Sequence, residues 1–510
     1  MKLIPLDTSF TKLVFDQSSK ERLMLETLQR TLRVERPGWQ YDWLVKIGKK
    51  SKYDNCFTQV DDSTIVVNSG ILEIPPVQDI LENCVPETPA DFAIGDIAGI
   101  DEFLEDLLES ETLPFAPYPY QIDACRKALQ KGRKLSLMCT GSGKSLTISL
   151  CLEYFRRKGL KGVLVVPNIN LLTQFASDIQ SYNLQELHSS IITFGGGSKK
   201  LKQLKDSGES LKPGDLVITT WQSLSKLDSN FFNKIDFVIC DEVHKFSSAC
   251  TSALVEQSKN AQYKLGFTGT LPDAKLHKMT LIGLFGIPET IITSSELIGD
   301  GRGTPICITG VKLSHSGETA SNVADFGEYL DKLKCVISVP ERNTYIANIA
   351  RSASEKAMGS TLVLFTLIEH GEALYKAIAG VEEIPDLATM QSTGIFFMSG
   401  QTPGKQREQI RLLMDQNPKA ILVANYALLS TGVNIKSLRF AIFASPVKSA
   451  VVVAQSLGRG IRLNEGKEVF NVYDIVDVIG GCRIFQNQYN ARKRIYQKSN
   501  FKLLERVDQL

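Results

Sequence analysis

The sequence predicts an α/β protein with two tandem domains, each built on a parallel sheet, behind a small N-terminal α/β unit. From residue 118 onward, short apolar runs alternate with amphipathic stretches, as in parallel strands joined by helices that cover both sheet faces. The runs fall into two series. The first is LSLMC (135–139), GVLVVP (162–167), DLVITT (215–220) and DFVIC (236–240). The second is TLVLFT (361–366), IFFMSG (395–400), AILVAN (420–425), FAIFAS (440–445) and EVFNVYDIV (468–476). The length of 510 residues is about three times that of a typical domain. The expected division is 1–85, an acidic linker over 86–114, a first parallel-sheet domain over 115–305 and a second over 306–510.

In the N-terminal unit, LVFD (13–16) reads as a strand. Residues 19–36 read as a helix carrying Leu23, Leu25, Leu28 and Leu32, capped by Ser18 or Ser19. DWLVKIGKKSKY reads as a strand followed by a basic turn at Lys49, Lys50 and Lys52, and STIVVNSGIL (63–72) as another strand. The linker is rich in proline and acids, with one helix expected at DEFLEDLLES. At the other end, ARKRIYQKSNFKLLERV (491–507) reads as a basic amphipathic helix with Ile495, Tyr496, Phe501 and Leu504 on its apolar face.

The net charge of +2 conceals segregation. Residues 1–52 carry a net +5, residues 53–125 hold 16 acids and no Lys or Arg, and residues 126–510 carry a net +13. The basic parts suit a polyanion, and the acidic part suits a connector that stays away from it. Ten cysteines without a C-x-x-C pair read as reduced thiols, not as a zinc site or a disulfide framework. No run of eighteen apolar residues suggests a membrane span, and Lys2, Asp7 and Lys12 interrupt any N-terminal signal core. The expected location is therefore cytoplasmic.

Residues 138–145, MCTGSGKS, lie between a strand and a helix that carries Leu146, Leu150 and Tyr154 and stops at Arg156-Arg157-Lys158-Gly159. Strand, glycine loop and helix form the setting of a phosphate-binding loop. Thr140, Gly141, Ser142 and Gly143 would form the cradle, its glycines letting backbone N–H groups converge on phosphate oxygens. Lys144 would neutralise the β- and γ-phosphates, and Ser145 would ligate Mg²⁺. Met138 stands where the usual pattern has its first glycine. DFVICDEVH (236–244) delivers Asp241 and Glu242 at a strand's carboxyl end, where open α/β sheets bind ligands. Asp241 is placed to hold Mg²⁺ and Glu242 to activate water. His244 is expected to relay to GFTGT (266–270), whose Thr268 and Thr270 follow the next strand, or to the second domain. In QSLGRGIR (455–462), Arg459 and Arg462 share a helix face with Gln455 beside them, which suits transition-state charge on a polyphosphate.

PYPYQIDA (117–124), TGSGKS, VVPNINLLTQ (165–174), TTWQSL (219–224), DEVH, GFTGT, STGVNI (430–435) and QSLGRGIR occur in the order seen in superfamily 2 helicases and translocases. The chain resembles that superfamily over 117–475, which implies two RecA-like motor domains using ATP and Mg²⁺. The resemblance implies that Gln121 reads the adenine, that Tyr118 or Tyr120 stacks nearby, and that Asn434 contacts the nucleotide from the second domain. It also implies strand contacts from Pro167, Asn168, Gln174, Gly196, Lys199, Thr219, Trp221 and Gln222 in the first domain. Thr366, Thr402, Ser430 and Thr431 would supply them in the second. ATP would close the two domains on each other and hydrolysis reopen them.

The layout further resembles phage branch-migration helicases of the UvsW type. The features shared include GGGSKK (195–200), TSSELIGDGRGTP (293–305) and SPVKSAVVVAQSLGRGIR (445–462). That likeness implies a motor on forked, branched or Holliday-junction-like DNA in recombination, repair and replication, working in a phage host's cytoplasm. Recombination or single-strand-binding proteins would be its partners. Lys49 and Lys50 of the N-terminal unit would engage DNA. Two alternatives stay open: a D-E-x-H RNA helicase, and a double-strand translocase subunit of a restriction or remodelling machine.

Overall fold

The computed structural model describes residues 1–510 apart from 39, 41, 49, 82–95, 111, 195–210, 247–248, 318–320, 324–325, 357–358, 430–434, 436, 448–452, 454–455, 459 and 461–466. The chain forms two compact units, Met1–Met138 with Gly143–Ile292, and Cys139–Ser142 with Thr293–Leu510.

The first unit begins with an antiparallel sheet of β1 (Lys2–Pro5), β2 (Phe10–Val14), β5 (Thr58–Asp61) and β6 (Thr64–Asn68), in the order β1-β2-β6-β5. β3 (Arg33–Glu35) and β4 (Tyr53–Asn55) pair separately. The helix Ser19–Thr31 buries Met24, Leu25 and Leu28, and Ser18 Oγ accepts the Glu21 N–H as its cap. Where a strand was expected at DWLVK, the chain makes a short helix, Trp43–Lys46. Asp42 Oδ1 accepts the Leu44 N–H at 3.0 Å, a local bond that turns the chain and that apolar periodicity does not reveal. The N-terminal core is completed from outside: Met279 and Leu276, on the helix Lys275–Phe285, pack into it. Ser69–Glu73 forms a 3-10 turn in which a Cβ on Gly70 would meet Ile282 O at 2.1 Å, so glycine permits that close approach.

A polar seam joins this sheet to the strands behind it. Thr8 Oγ1 donates to Lys259 O at 2.7 Å, Ser9 Oγ to Glu256 O at 2.9 Å, and Lys264 Nζ to Ser9 Oγ at 2.5 Å. Lys264 is buried, and burial together with the nearby Arg133 cation pushes its pKa down to about 7. Between about pH 7 and the unfolded value near 10.5, the unfolded chain therefore binds the extra proton, and stability rises with pH. Lys264→Met is expected to stabilise the first unit by about 1–3 kcal/mol at pH 7. The gain should fade towards pH 10, which chemical denaturation across that range would read.

The sheet behind the seam has seven parallel strands: β7 (Arg133–Met138), β8 (Gly162–Val166), β9 (Ile191–Phe194), β10 (Leu216–Thr220), β11 (Phe237–Asp241), β12 (Tyr263–Thr268) and β13 (Pro288–Ile292). Their order is β13-β7-β12-β11-β8-β10-β9. Part of the expected linker belongs to this layer. The helix Ile97–Glu109 buries Ile100, Phe103, Leu104 and Leu107 in the same core as Tyr154 and Phe155. Its acids face outward, where Asp106 pairs with Arg157 and Asp101 with Arg126.

The second unit carries seven parallel strands, β14 (Ile306–His315), β15 (Ser360–Phe365), β16 (Ile395–Met398), β17 (Ile421–Asn425), β18 (Leu438–Phe443), β19 (Phe470–Ile479) and β20 (Lys502–Gln509). Their order is β16-β17-β15-β18-β19-β14-β20. The helix expected over 491–507 differs from what forms. A helix runs Ile484–Lys498, and Asn500 then takes a left-handed conformation with φ 52° that ends it. The residues beyond form β20, which pairs in parallel with β14 at the sheet edge. Two parallel sheets that follow an antiparallel sheet along the chain match the α/β class and the tandem RecA-like plan expected from the sequence. Among the described residues, no helix is long and apolar enough to cross a membrane.

Candidate active site

Parallel pairing brings the carboxyl ends of β7, β11 and β12 to one edge of the first sheet, with β12 between the other two. β7 ends at Met138, which is buried in the core with Leu146 and Phe267. Its side chain therefore packs beneath the loop rather than facing a ligand. After it the chain turns through Gly141 (φ 89°) and Gly143 (φ 76°), left-handed conformations that glycine adopts without strain. The helix Lys144–Arg157 follows.

Gln121, buried on the helix Pro119–Lys131, lies against this loop. Its Oε1 accepts the Tyr118 N–H at 2.8 Å. A Cβ on Gly143 would stand 2.1 Å from Gln121 Nε2. Gly143→Ala should thus suffer both a strained φ and a collision with the Gln121 amide. It is expected to cost about 1–3 kcal/mol and to weaken nucleotide binding at least tenfold, read by melting and nucleotide titration. Tyr118 and Tyr120 stack with ring centroids 5.6 Å apart, and Tyr118 is exposed.

Lys144 Nζ reaches both acids, Asp241 Oδ1 at 3.0 Å and Glu242 Oε1 at 2.7 Å. Burial opposes the lysine's charge, but the two carboxylates outweigh it and hold the ammonium well above the usual lysine range. Glu242 is half-buried, and Lys144 and His244 outweigh its desolvation and hold its carboxyl well below the usual range. Asp241 moves the other way: burial, aided by the Glu242 charge, pushes it up against Lys144. Glu242 takes φ 52°, a strained conformation for a residue with a Cβ, and its N–H donates to Asp241 Oδ1 at 2.9 Å. That twist turns two consecutive carboxylates to the same lysine. His244 Nδ1 lies 2.9 Å from Thr268 Oγ1 and 3.3 Å from Glu242 Oε2, so it touches both the acid pair and the GFTGT turn. Thr268 Oγ1 donates in turn to Thr270 O at 2.9 Å.

The donor chemistry fits a magnesium nucleotide. Mg²⁺ is held through one or two carboxylates and a hydroxyl with substrate phosphates, and Asp241 and Ser145 offer those groups beside a cationic lysine and a glycine cradle.

The expected strand contacts have mixed placements. Pro167 is buried, and Asn168 Oδ1 caps the helix Ile169–Ser181 by accepting the Leu171 N–H at 3.0 Å. Gln174 is half-buried on that helix. Thr219 lies wholly inside the core at 0% exposure, so its side chain does not reach the surface. Trp221 packs partly against the core, and Gln222 is exposed. In the second unit, Thr366 is exposed, while Thr402 Oγ1 accepts the Ser399 N–H at 3.0 Å. Lys50 is exposed and pairs with Asp42 at 2.9 Å. Lys49, Gly196, Lys199, Ser430, Thr431, Asn434, Gln455, Arg459 and Arg462 lie outside the described residues. Two neighbours of Thr366, Asn425 and Ser445, escaped the sequence reading. Their only signal was a small polar residue at or just beyond the end of an apolar run.

A family model described as "Type III restriction enzyme, res subunit" matches residues 114–273. The ATP-dependent DNA helicase uvsW of Enterobacteria phage T4 is 28% identical over 413 residues, covering 80% of this chain and 78% of that protein. A type I restriction enzyme EcoAI endonuclease subunit from Escherichia coli is 22% identical over 390 residues, covering 70% of this chain and 46% of its own length. Among solved structures, a fragment of a putative HsdR subunit from Vibrio vulnificus YJ016 superposes with a TM-score of 0.56 at 18% identity. It covers 85% of this chain and 74% of that one, and supports the fold alone. With the ordered motifs and the lysine–carboxylate site at one sheet edge, the chain is similar to ATP-hydrolysing superfamily 2 enzymes of the helicase type, phage UvsW among them.

Proposed function

We propose that this chain is a DNA motor that unwinds and branch-migrates forked or four-way DNA, using Mg²⁺-ATP. The observation that carries the reading is Lys144 held between Asp241 and Glu242 at the carboxyl edge of the sheet. Lys144 is the counterion of both acids. A triphosphate would draw the ammonium onto its β- and γ-oxygens and release the carboxylates for their own tasks. Glu242, kept ionised, would take the proton of the attacking water through its free oxygen while His244 steadies the carboxylate. Mg²⁺, when bound at Ser145 and Asp241, supplies neutralisation of the charge that develops on the transferred phosphoryl group. The likeness to the phage helicase supports branched DNA as the substrate, and the basic balance of residues 126–510 supports a polyanion.

ATPase stimulation on a matched panel of duplex, fork, four-way junction and RNA fork tests this. The branched DNAs should stimulate most, and a preference for RNA would overturn the reading. The likeness to the restriction subunit favours a second reading, translocation on duplex DNA without strand separation. Displacement of a triplex strand with no unwinding of the fork would select it.

A further inference from the structure

In the second sheet β15 runs between β17 and β18, so the turn that follows it is flanked by both of their ends. Thr366 opens that turn and is exposed. Side chains hold both of its backbone polar groups. Its N–H donates to Ser445 Oγ at 3.1 Å, and its C=O accepts from Asn425 Nδ2 at 2.8 Å. Asn425 is itself fixed, because its Oδ1 accepts the Ala427 N–H at 2.8 Å. Ser445 is buried, with His370 Nδ1 2.8 Å from its oxygen.

His370 is seated in a closed polar core. Its Nε2 lies 3.2 Å from Asn343 Oδ1 and 3.3 Å from Arg342 Nη1. Arg342 donates through Nε and Nη2 to the Asp477 carboxylate at 2.8 and 3.0 Å, and through Nη2 to Ala444 O at 2.7 Å. Burial and the Arg342 cation keep the imidazole neutral, well below its usual range. Among the described residues, no hydrogen bond within the chain engages the Thr366 hydroxyl. A turn ordinarily leaves its backbone groups to water, and here two neighbouring strand ends spend side chains on one exposed residue.

We propose that Asn425, Ser445 and His370 are positioning residues that hold the Thr366 hydroxyl as a fixed contact for a nucleic-acid backbone phosphate. This rests on the reading of the chain as a nucleic-acid motor. Hydroxyl-to-phosphate bonds set the register of a protein on a strand without reading bases. A pre-ordered turn avoids the entropy of ordering it at each binding event.

Asn425→Asp tests the proposal, because it keeps the acceptor for Ala427 and replaces the donor facing Thr366 O with a second acceptor. The DNA concentration for half-maximal ATPase should rise about tenfold, the loss of roughly one charge-sensitive hydrogen bond. The effect on maximal rate should be at least about fivefold smaller, with little change in melting temperature. In a Thr366→Val background the same substitution should add less than about twofold, since both act through one contact. Ser445→Ala should repeat the pattern and decides the question if Asn425→Asp does not fold. Additive effects, or parallel losses of maximal rate and melting temperature, would overturn the positioning role. Weakened binding by Thr366→Val with none by Asn425→Asp or Ser445→Ala would overturn it while leaving the strand contact standing. Unchanged DNA dependence in Thr366→Val would remove the contact itself.

Discussion

Lys144→Ala is expected to lower ATP turnover by about a thousandfold or more, because it removes the cation aimed at the phosphates where charge develops. The structure adds a second consequence. Lys144 is the counterion of the buried Asp241 and the half-buried Glu242. Its raised pKa means that its stabilising contribution is complete below the unfolded value of 10.5 and is lost only as pH climbs through the folded value. The depressed Glu242 contributes above its unfolded value of 4.5 and loses that contribution as pH falls through the folded one. With the lysine gone, burial dominates both acids and raises both pKa values. The variant should therefore be less stable than the parent at pH 7, by about 1–3 kcal/mol, and recover as pH falls towards 5 and the acids protonate. ATPase assays on forked DNA and melting curves at pH 5 and 7 check the two halves separately. Intact hydrolysis would place the phosphate site elsewhere; a variant equally stable at both pH values would mean that the carboxylates relax into water.

The largest stability effect is expected at the Asp474–Arg492 pair of the second unit. Both side chains are buried, with Arg492 Nε donating to Asp474 Oδ2 at 2.9 Å and Nη2 to Oδ1 at 2.8 Å. Tyr496 OH donates to Asp474 Oδ2 at 2.8 Å, and Arg492 Nη1 to Val447 O at 2.6 Å. The pair ties the helix Ile484–Lys498 to β19, and through Val447 to the chain leading into QSLGRGIR. Asp474→Ala would leave a guanidinium in the core without its counter-charge, at a cost of about 3–5 kcal/mol. Changing both residues to leucine should recover much of that loss, because no buried charge is then left to desolvate. Urea unfolding of the second unit reads both. A double variant as unstable as Asp474→Ala would show that the bonds to Val447 and Tyr496, not the charge, carry the pair.

The central strands were readable because a strand covered on both faces is an unbroken apolar run, and LSLMC, DFVIC and AILVAN are such runs. The phosphate loop and the acid pair were readable because their chemistry is local: glycines, a lysine and two consecutive carboxylates need no distant partner to declare themselves. Local pattern misled where a neighbour decides. DWLVK has the composition of a strand, yet Asp42 turns it into a helix. The end of the chain has helical spacing, yet Asn500 breaks it and the free edge of β14 recruits the remainder as a strand. The acidic stretch before the motor looked like a connector, but four apolar residues on one face of Ile97–Glu109 were enough to draw it into the core.

The kind of chemistry, the alternation of strands and helices, and the order of the motifs along the chain are written in the residues themselves. Which motifs face each other is not. β12 lies between β7 and β11, and that strand order alone sets Thr268 beside His244. β15 lies between β17 and β18, and that order sets Asn425 and Ser445 on either side of Thr366. Gly143 meets Gln121, and Met279 completes a core more than two hundred residues upstream of it. Apolar periodicity records that a face is buried but not what buries it. The partner is chosen by strand pairing and side-chain packing across long separations in sequence, and these exist only once the chain has folded.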